Sequence, residues 1–162
     1  MKRILYFLMT LSILGCESSN SDITDLEGSW VSQCSDFGNI PNTSKKIIYT
    51  FHGNSLDLFV DVYDDSTCAN FSNSTPFHEY YFAVNQNYVP IIFSIGASVT
   101  TLNGVVVKEI DLITSGEVSQ NIYLLQDNSN TLFFGLQCDD VGSSCTTSRP
   151  NEINYNEHLV KI

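Results

Sequence analysis

The stretch Val99-Thr-Thr-Leu-Asn-Gly-Val-Val-Val107 decides the fold class of this chain of 162 residues. Two β-branched runs flank Asn103-Gly104, and Asn-Gly is the dipeptide that favours a two-residue type I′ loop between antiparallel strands. The β-branched side chains themselves pack well on a pleated surface. The stretch therefore predicts a β-hairpin.

A second hairpin is predicted between Lys45 and Tyr63, around the turn His52-Gly53-Asn54-Ser55. Apolar and polar side chains alternate in both arms, which is the pattern of strands with one buried face. The alternating apolar residues are Ile47, Tyr49 and Phe51 in the first arm and Leu56, Leu58, Val60 and Val62 in the second.

Further short strands are predicted along the rest of the chain, and no window of twelve residues has the i, i+3, i+4, i+7 spacing of a helix. Pro90 argues against a central strand near residues 88–97, where Gly96 indicates a bend or bulge. Eight or nine antiparallel strands predict an all-β fold, and periodicity alone leaves a sandwich and a closed barrel open. The further strands are Ser29–Cys34, Phe77–Val84, Gln120–Gln126, Thr131–Cys138 and Glu157–Ile162, with Asp127–Asn130 as a tight connection.

Cys16 ends a segment with the layout of a bacterial lipoprotein signal peptide. Lys2 and Arg3 precede eleven apolar-rich residues, 4–14, which span roughly 16 Å as a helix, far less than the roughly 30 Å hydrocarbon core of a bilayer. Ile13-Leu14-Gly15-Cys16 resembles a lipobox. The resemblance implies cleavage before Cys16, thioether lipidation of its thiol and acylation (palmitate-type chains) of the new amino terminus. The alternative is an unlipidated secretory signal peptide.

The leader divides the chain into three predicted parts. Residues 1–15 are the signal peptide, residues 16–25 are a lipidated polar tether, and residues 26–162 are one β-barrel domain of ordinary size. Several acyl chains hold a protein durably on a membrane. By the same resemblance, Glu17 stands where an inner-membrane retention signal has Asp. The predicted location is therefore the bacterial cell envelope, with the outer membrane favoured.

The processed chain is strongly acidic. Removal of Lys2 and Arg3 leaves five basic residues against 18 acidic ones, a formal charge of −13. The remaining lysines and Arg149 are scattered, so the clustered positive charge that nucleic-acid binding needs is missing. The acidity is typical of a soluble domain that resists non-specific association.

Five cysteines leave an even four once Cys16 carries lipid. Cys138 and Cys145 flank a flexible stretch that can turn back, so we predict that they pair, which leaves Cys34 with Cys68 in an oxidising compartment. A buried free thiol at Cys34 or Cys138 is the alternative. No Cys-x2-Cys or His-x3-His spacing is present, so no metal or cofactor is predicted.

Gly28-Ser29-Trp30 opens the first predicted strand and resembles the first-strand signature of lipocalins and of lipocalin-like bacterial lipoproteins. This resemblance favours a closed barrel. It implies that the Trp packs across the closed end of the barrel beneath an Arg from late in the chain. Trp30 is the only Trp and Arg149 the only Arg left after processing, so the resemblance assigns this structural motif to Gly28, Trp30 and Arg149. The alternative for Arg149 is a side chain that faces solvent.

No catalytic site is predicted, and the protein is expected not to be an enzyme. His52, His78 and His158 stand apart, and no Gly-x-Ser-x-Gly elbow is present. Glu109 and Asp111 share a strand face, where two carboxylates could serve calcium. A solvated face explains the same pair.

Aromatic side chains exceed what one small barrel core needs, and runs such as Tyr80-Tyr81-Phe82 and Phe133-Phe134 place rings on both faces of a strand. Two functions follow. In the first, the barrel binds a small apolar or amphiphilic ligand in a cavity, with contact residues left unknown. In the alternative, a filled barrel serves as a structural or interaction lipoprotein that contacts an envelope protein through exposed aromatics.

Overall fold

The structure is a computed structural model that describes residues 24–38, 40–77, 90–115, 117–136 and 149–162. The described chain forms one antiparallel sheet of ten strands. The predicted signal peptide and most of the tether, residues 1–23, lie outside the described residues. The strands are β1 Gly28–Ser32, β2 Ser35–Asp36, β3 Ser44–His52, β4 Ser55–Tyr63, β5 Phe71–Pro76, β6 Ile91–Thr100, β7 Val106–Thr114, β8 Glu117–Gln126, β9 Thr131–Phe134 and β10 Leu159–Lys161.

Eight of the strands close into a barrel. Their order around it is β1, β3, β4, β6, β7, β8, β9 and β10, and β10 pairs with β1 to close the ring. Each strand therefore lies beside the next barrel strand along the chain, which is an up-and-down arrangement. β2 pairs with β3, and β5 pairs with β4 beyond the short contact between β4 and β6. The predicted antiparallel barrel is confirmed, and the sandwich alternative is excluded.

The two ends of the barrel collect different parts of the chain. The tether end consists of residues 24–28, the turns at 53–54, 101–105 and 127–130, and residues 161–162. The disulfide end consists of residues 33–38, 40–44 and 64–71, and Ser115. This division follows from the strict alternation of strand direction around the ring.

Both predicted hairpins form. β3 and β4 pair as far as His52 and Ser55, so Gly53-Asn54 is a two-residue loop, with Gly53 at φ 58°. In the second hairpin, Gly104 donates to the Thr101 carbonyl at 3.0 Å and has φ 77°, whereas Asn103 has an ordinary negative φ. A type I′ loop needs positive φ at both central residues, so the predicted loop type is wrong. The chain instead makes a three-residue turn that ends in a left-handed glycine.

Other strand boundaries follow the local chemistry. Pro90 precedes β6, and the register of β6 shifts between Ile95 and Ser98, where the predicted bend at Gly96 is confirmed as a bulge. Of the strand predicted over 77–84, only Phe77 is described, and it follows the end of β5. Residues 78–84 lie outside the described residues.

Inward-facing side chains fill the middle of the barrel and its tether end. Leu26 and Trp30 are completely buried. Phe51 and Phe93 meet edge to face with ring centroids 5.2 Å apart, a favoured aromatic geometry. Each of the eight barrel strands contributes one residue to this buried inner core, as expected for a barrel of this size. This inner core consists of Leu26, Trp30, Phe51, Leu56, Phe93, Ile110, Tyr123, Leu132 and Leu159.

A second core lies on the outside of the barrel wall. Val107 of β7, Ile122 of β8 and Phe133 of β9 are buried there together with Ile153. Ile153 belongs to residues 149–154, which we call the strap, and it forms a bridge with Gly135. The predicted Phe133-Phe134 pair is thereby explained, since one ring lies under the strap and the other packs against the inner core.

Candidate functional site

The disulfide end contains the bond predicted between Cys34 and Cys68, which is confirmed with Cα atoms 5.9 Å apart. The buried hydroxyl of Ser44 ties this loop to β3, because it donates to the Asp65 carbonyl at 2.5 Å and accepts from the Cys68 amide at 3.1 Å. Cys138 and Cys145 lie outside the described residues. Their pairing stays a prediction, as does lipidation of Cys16.

The carboxylate of Asp65 organises the loop around Cys68. It accepts hydrogen bonds from the hydroxyl and amide of Thr67, both at 2.6 Å, and from the amides of Ala69 at 3.0 Å and Asn70 at 2.5 Å. These bonds, led by the Thr67 hydroxyl, stabilise the charged form and lower the pKa of Asp65 far below its ordinary value. The group therefore acts as a structural acceptor that stays charged.

Trp30 lies at the tether end of the inner core, where its Nε1 donates to the Leu26 carbonyl at 2.7 Å. The cation over its ring is Lys161, whose Nζ lies 5.2 Å from the ring centroid. Lys161 is the paired residue of Trp30 across β1 and β10. Gly28, at φ 111°, leaves room for the Lys161 side chain, whose Cε lies 3.3 Å from where a Cβ would stand. The prediction that Arg149 covers Trp30 is therefore wrong.

Arg149 fastens the strap to the outer wall instead. Its guanidinium donates to the carbonyls of Asn121 at 2.6 Å and Ile110 at 3.3 Å and to the Asp111 carboxylate at 2.5 Å. Its Nε lies 3.4 Å from Glu109, and the side chain is only 17% exposed. Glu109 and Asp111, which share this strand face, thus both contact the Arg149 guanidinium, and their shared position needs no bound calcium to account for it.

Asp25 joins the beginning of the described chain to the barrel. Its carboxylate accepts from Lys108 Nζ at 2.5 Å and from the Tyr123 hydroxyl at 2.7 Å. Burial, followed by this hydrogen bond and the nearby negative charge, raises the pKa of Tyr123 far above its ordinary value. Asp25 was placed in the predicted tether, and no sequence pattern marked it as a barrel contact. With Leu26 buried beside it, the chain enters the barrel at a fixed point.

The described histidines do not converge on one site. His52 Nδ1 lies 3.7 Å from Asp57 at the tether end, whereas His158 contacts Gln33 at 2.9 Å at the opposite end. His78 lies outside the described residues. Within the described ranges, no group of three or more His, Cys, Asp or Glu side chains is placed to hold a metal ion. In the same part of the chain, no helix has the length and apolar character needed to cross a bilayer.

A continuous row of apolar side chains crosses the outer wall of β10, β1, β3, β4 and β5. Cross-strand pairing aligns Val160 with Val31, Val31 with Ile48, Ile48 with Phe59, and Phe59 with Pro76. Paired residues point to the same face, and five strands at about 4.8 Å spacing make this apolar row roughly 19 Å long. Phe59 is 38% and Val160 43% exposed. The apolar row is therefore a solvent-accessible patch on a wall that the strap does not cross.

Polar rows lie on both sides of the apolar row. Ser29 and Thr50 share a hydrogen bond between their hydroxyls at 3.0 Å on one side. Each row includes an aspartate of β4. The rows are Ser29, Thr50 and Asp57 on one side and Lys46, Asp61 and Ser74 on the other.

The hollows on the surface of the described chain include one at each end of the barrel. One, of about 250 Å³, lies at the disulfide end between Asp36, Pro41 and Ser66. The other, of about 240 Å³, lies at the tether end between Asp25 and Val106. Neither is an aromatic-lined chamber inside the barrel.

Comparison of the chain with protein-family models, with curated proteins and with solved structures gives no match.

Proposed function

We propose that this protein is a lipid-anchored lipoprotein of the bacterial cell envelope whose barrel is a non-enzymatic module for contact with a partner protein. The apolar row carries this proposal. Single exposed apolar side chains are ordinary, whereas a contiguous apolar patch rimmed by polar residues is typical of an interaction surface. The packed inner core supports the same reading, because it makes the barrel a rigid scaffold for its outer wall.

The partner that fits this surface has an apolar strip with basic residues beside it. Asp57 and Asp61 flank the apolar row, Lys46 beside Asp61 offsets one of these charges, and the processed chain carries a formal charge of −13. Opposite potentials across an interface speed association and disfavour wrong partners. A strongly acidic partner, or a second copy of this chain, would be repelled.

A photo-crosslinking residue in place of Phe59 tests the surface in the producing cell. Val118 on β8 provides the matched control position, since it is also exposed, at 56%, and lies away from the apolar row. We expect one discrete protein adduct from position 59 that disappears when Ile48→Lys places a charge in the row, and no adduct from position 118. Circular dichroism checks that the Ile48→Lys variant is folded. Identical adducts from both positions, or none from position 59, would contradict the proposal.

The membrane anchor is tested separately at Cys16. Cys16→Ala should move the protein from the membrane fraction to a soluble or precursor pool, because cleavage and acylation both depend on this residue. Intact-mass measurement of the unchanged protein should show added acyl chains on a chain that starts at Cys16. Membrane fractionation that is the same in both proteins, without acyl mass, would refute the anchor.

An apolar or amphiphilic ligand is a second candidate function. Inward-facing Tyr49, Leu58, Leu112 and Phe134 lie one step from the inner core toward the disulfide end, and all are only partly buried. The rings of Tyr49 and Phe134 have centroids 6.2 Å apart, so an apolar molecule at this end would meet both. Native mass spectrometry of the domain purified from its host distinguishes the candidates. A bound small molecule that is lost in Phe134→Ala favours the ligand, and a bound protein favours the interaction module.

A further inference from the structure

We propose that the tether end of the barrel rests on the bilayer, with Leu102, Val106 and Ile162 placed among lipid headgroups of low net charge. This inference depends on the proposed anchor at Cys16. It adds an orientation and a second membrane contact, made by the folded domain itself.

The most exposed apolar side chains gather at one end of the barrel. Among the large hydrophobic residues in the described ranges, Ile162, Leu102 and Val106 are the three most exposed, at 72%, 68% and 65%. Leu102 and Val106 belong to the turn between β6 and β7. Ile162 follows β10, and its amide donates to the Ser29 carbonyl at 3.0 Å, beside the start of β1. The disulfide end also exposes apolar side chains, Phe71 at 58%, Val118 at 56% and Ile40 at 52%, so the tether end has only the larger exposures, and the anchor decides which end meets the membrane.

The anchor holds this same end close to the membrane. Cys16 precedes Thr24 by eight residues, which reach at most about 29 Å when fully extended. The far end of this segment is fixed, because Asp25 bonds Lys108 and Tyr123. The tether end therefore stays within about 29 Å of the bilayer, whereas the disulfide end can lie a further barrel length away.

Charge at the tether end is low for so acidic a chain. The ion pair with Lys108 neutralises Asp25, and the turn at 101–105 has no charged residue, whereas the turn at 127–130 has only Asp127. Glu27 and Lys161 carry opposite charges, and Asp57, beside His52, is a further acidic residue at this end. Few charges therefore lose water when this end meets headgroups, and the acidic remainder of the barrel is kept away from anionic lipid.

Fluorescence quenching by brominated lipids tests the orientation. The full lipidated protein, with its acyl mass measured first, is placed in vesicles of phosphatidylethanolamine and phosphatidylglycerol with brominated acyl chains. Leu102→Trp reports on the tether end, and Val118→Trp is the matched reporter at the opposite end, where Val118 is 56% exposed. Trp30 contributes the same background to both. The two reporters are separated by the length of β7, nine residues or roughly 30 Å.

We expect the brominated lipids to remove most of the emission added by Leu102→Trp and none of the emission added by Val118→Trp. Equal quenching of the two reporters in a protein with the acyl mass would overturn the orientation and leave the anchor intact. Absence of the acyl mass would overturn the anchor and the orientation together.

Discussion

Gly135→Ala tests how the strap is held against the barrel wall. A Cβ at this position would lie 2.6 Å from Pro150 Cβ, 2.7 Å from Asn121 Oδ1 and 2.8 Å from Ile122 Cγ1. Carbon atoms in ordinary contact are about 3.5–4.0 Å apart, so Pro150 of the strap and Ile122 of β8 each have to move by roughly 1 Å. We expect the free energy of unfolding to fall by about 1–3 kcal/mol, the usual effect of overpacking.

The added Cβ should loosen the strap before it affects the whole fold. Gly135 bridges Ile153, which packs over Phe133 in the outer core, and the amides of Leu136 and Asn154 bond across this junction, both at 2.9 Å. Equilibrium unfolding in urea gives the loss of stability. Hydrogen exchange of the amides at 149–154 and at Leu136 should rise in the variant, while exchange in β3 and β4 stays unchanged.

Gly96→Ala is the matched control. Its Cβ would meet only the side chain of Glu109, at 2.9 Å from Oε2 and 3.0 Å from Cβ. The carboxylate, in a side chain that is 29% exposed, can rotate away at the cost of weakening its ion pair with Arg149, and the contact with Cβ requires a shift of only a few tenths of an ångström. We expect a loss under about 1 kcal/mol. In the double variant Gly135→Ala/Pro150→Gly, part of the lost stability should return, because removing the Pro150 side chain relieves its contact with the new Cβ. Equal losses in both single variants, or a Gly135→Ala protein with unchanged stability and strap exchange, would refute the reasoning.

Three further predictions concern the two ends of the barrel. Replacing Cys34 and Cys68 with Ala opens a loop with a sequence separation of 34, and the loop-entropy model predicts a loss of about 4 kcal/mol in urea unfolding; a loss below ~1 kcal/mol would contradict it. Asp25→Ala leaves Lys108 and Tyr123 without their shared acceptor and should lower stability by about 1–2 kcal/mol, since the lysine and the aspartate are 42% and 33% exposed and partly screened; Asp25→Asn should lose less. Because the pKa of Tyr123 is raised, the folded state keeps a proton that the unfolded state loses above about pH 10, so stability should fall as pH rises through that region. Urea midpoints from pH 8 to 11 measure this effect, and Tyr123→Phe should show a shallower decline; equal slopes would count against the role of the phenol.

The hairpins could be predicted because local chemistry specifies them, whereas the choice of a barrel over a sandwich rested on the resemblance at Gly28-Ser29-Trp30. Gly53 and Gly104 lie in turns that need positive φ, and alternating apolar residues mark which face of each strand is buried. The loop type at Asn103-Gly104 could not be read in the same way. One left-handed glycine satisfies a longer turn as well, and the pairing of the flanking strands decides between them.

The position of Arg149 could not be predicted because it depends on groups far away in sequence. A cation over the Trp30 ring gains roughly 0.5–2 kcal/mol. On the outer wall, Arg149 instead makes charge-assisted hydrogen bonds to Asp111 and further bonds to two backbone carbonyls, which are the stronger class of contact. Lys161 already lies opposite Trp30 through the register of β1 and β10, and register is set only when the barrel closes.

The apolar row escaped prediction for a related reason. Val31 and Ile48 stand next to the inward-facing Trp30 and Tyr49 in sequence, so each interrupts the alternation of its strand at one position and puts an apolar side chain on the second face. A strand of this kind indicates two buried faces. Only the observed register shows that these outward residues line up with Phe59 on neighbouring strands.

The pairing of β1 with β10 has a consequence for how the protein is made. This pairing joins Trp30 to Lys161, so the ring stays open during synthesis until nearly all of the barrel sequence has emerged. Contacts of such long range form slowly, and the open intermediate exposes unpaired strand edges that invite aggregation. A chaperone that shields the nascent chain, or a delay in folding until synthesis is finished, would serve this topology well.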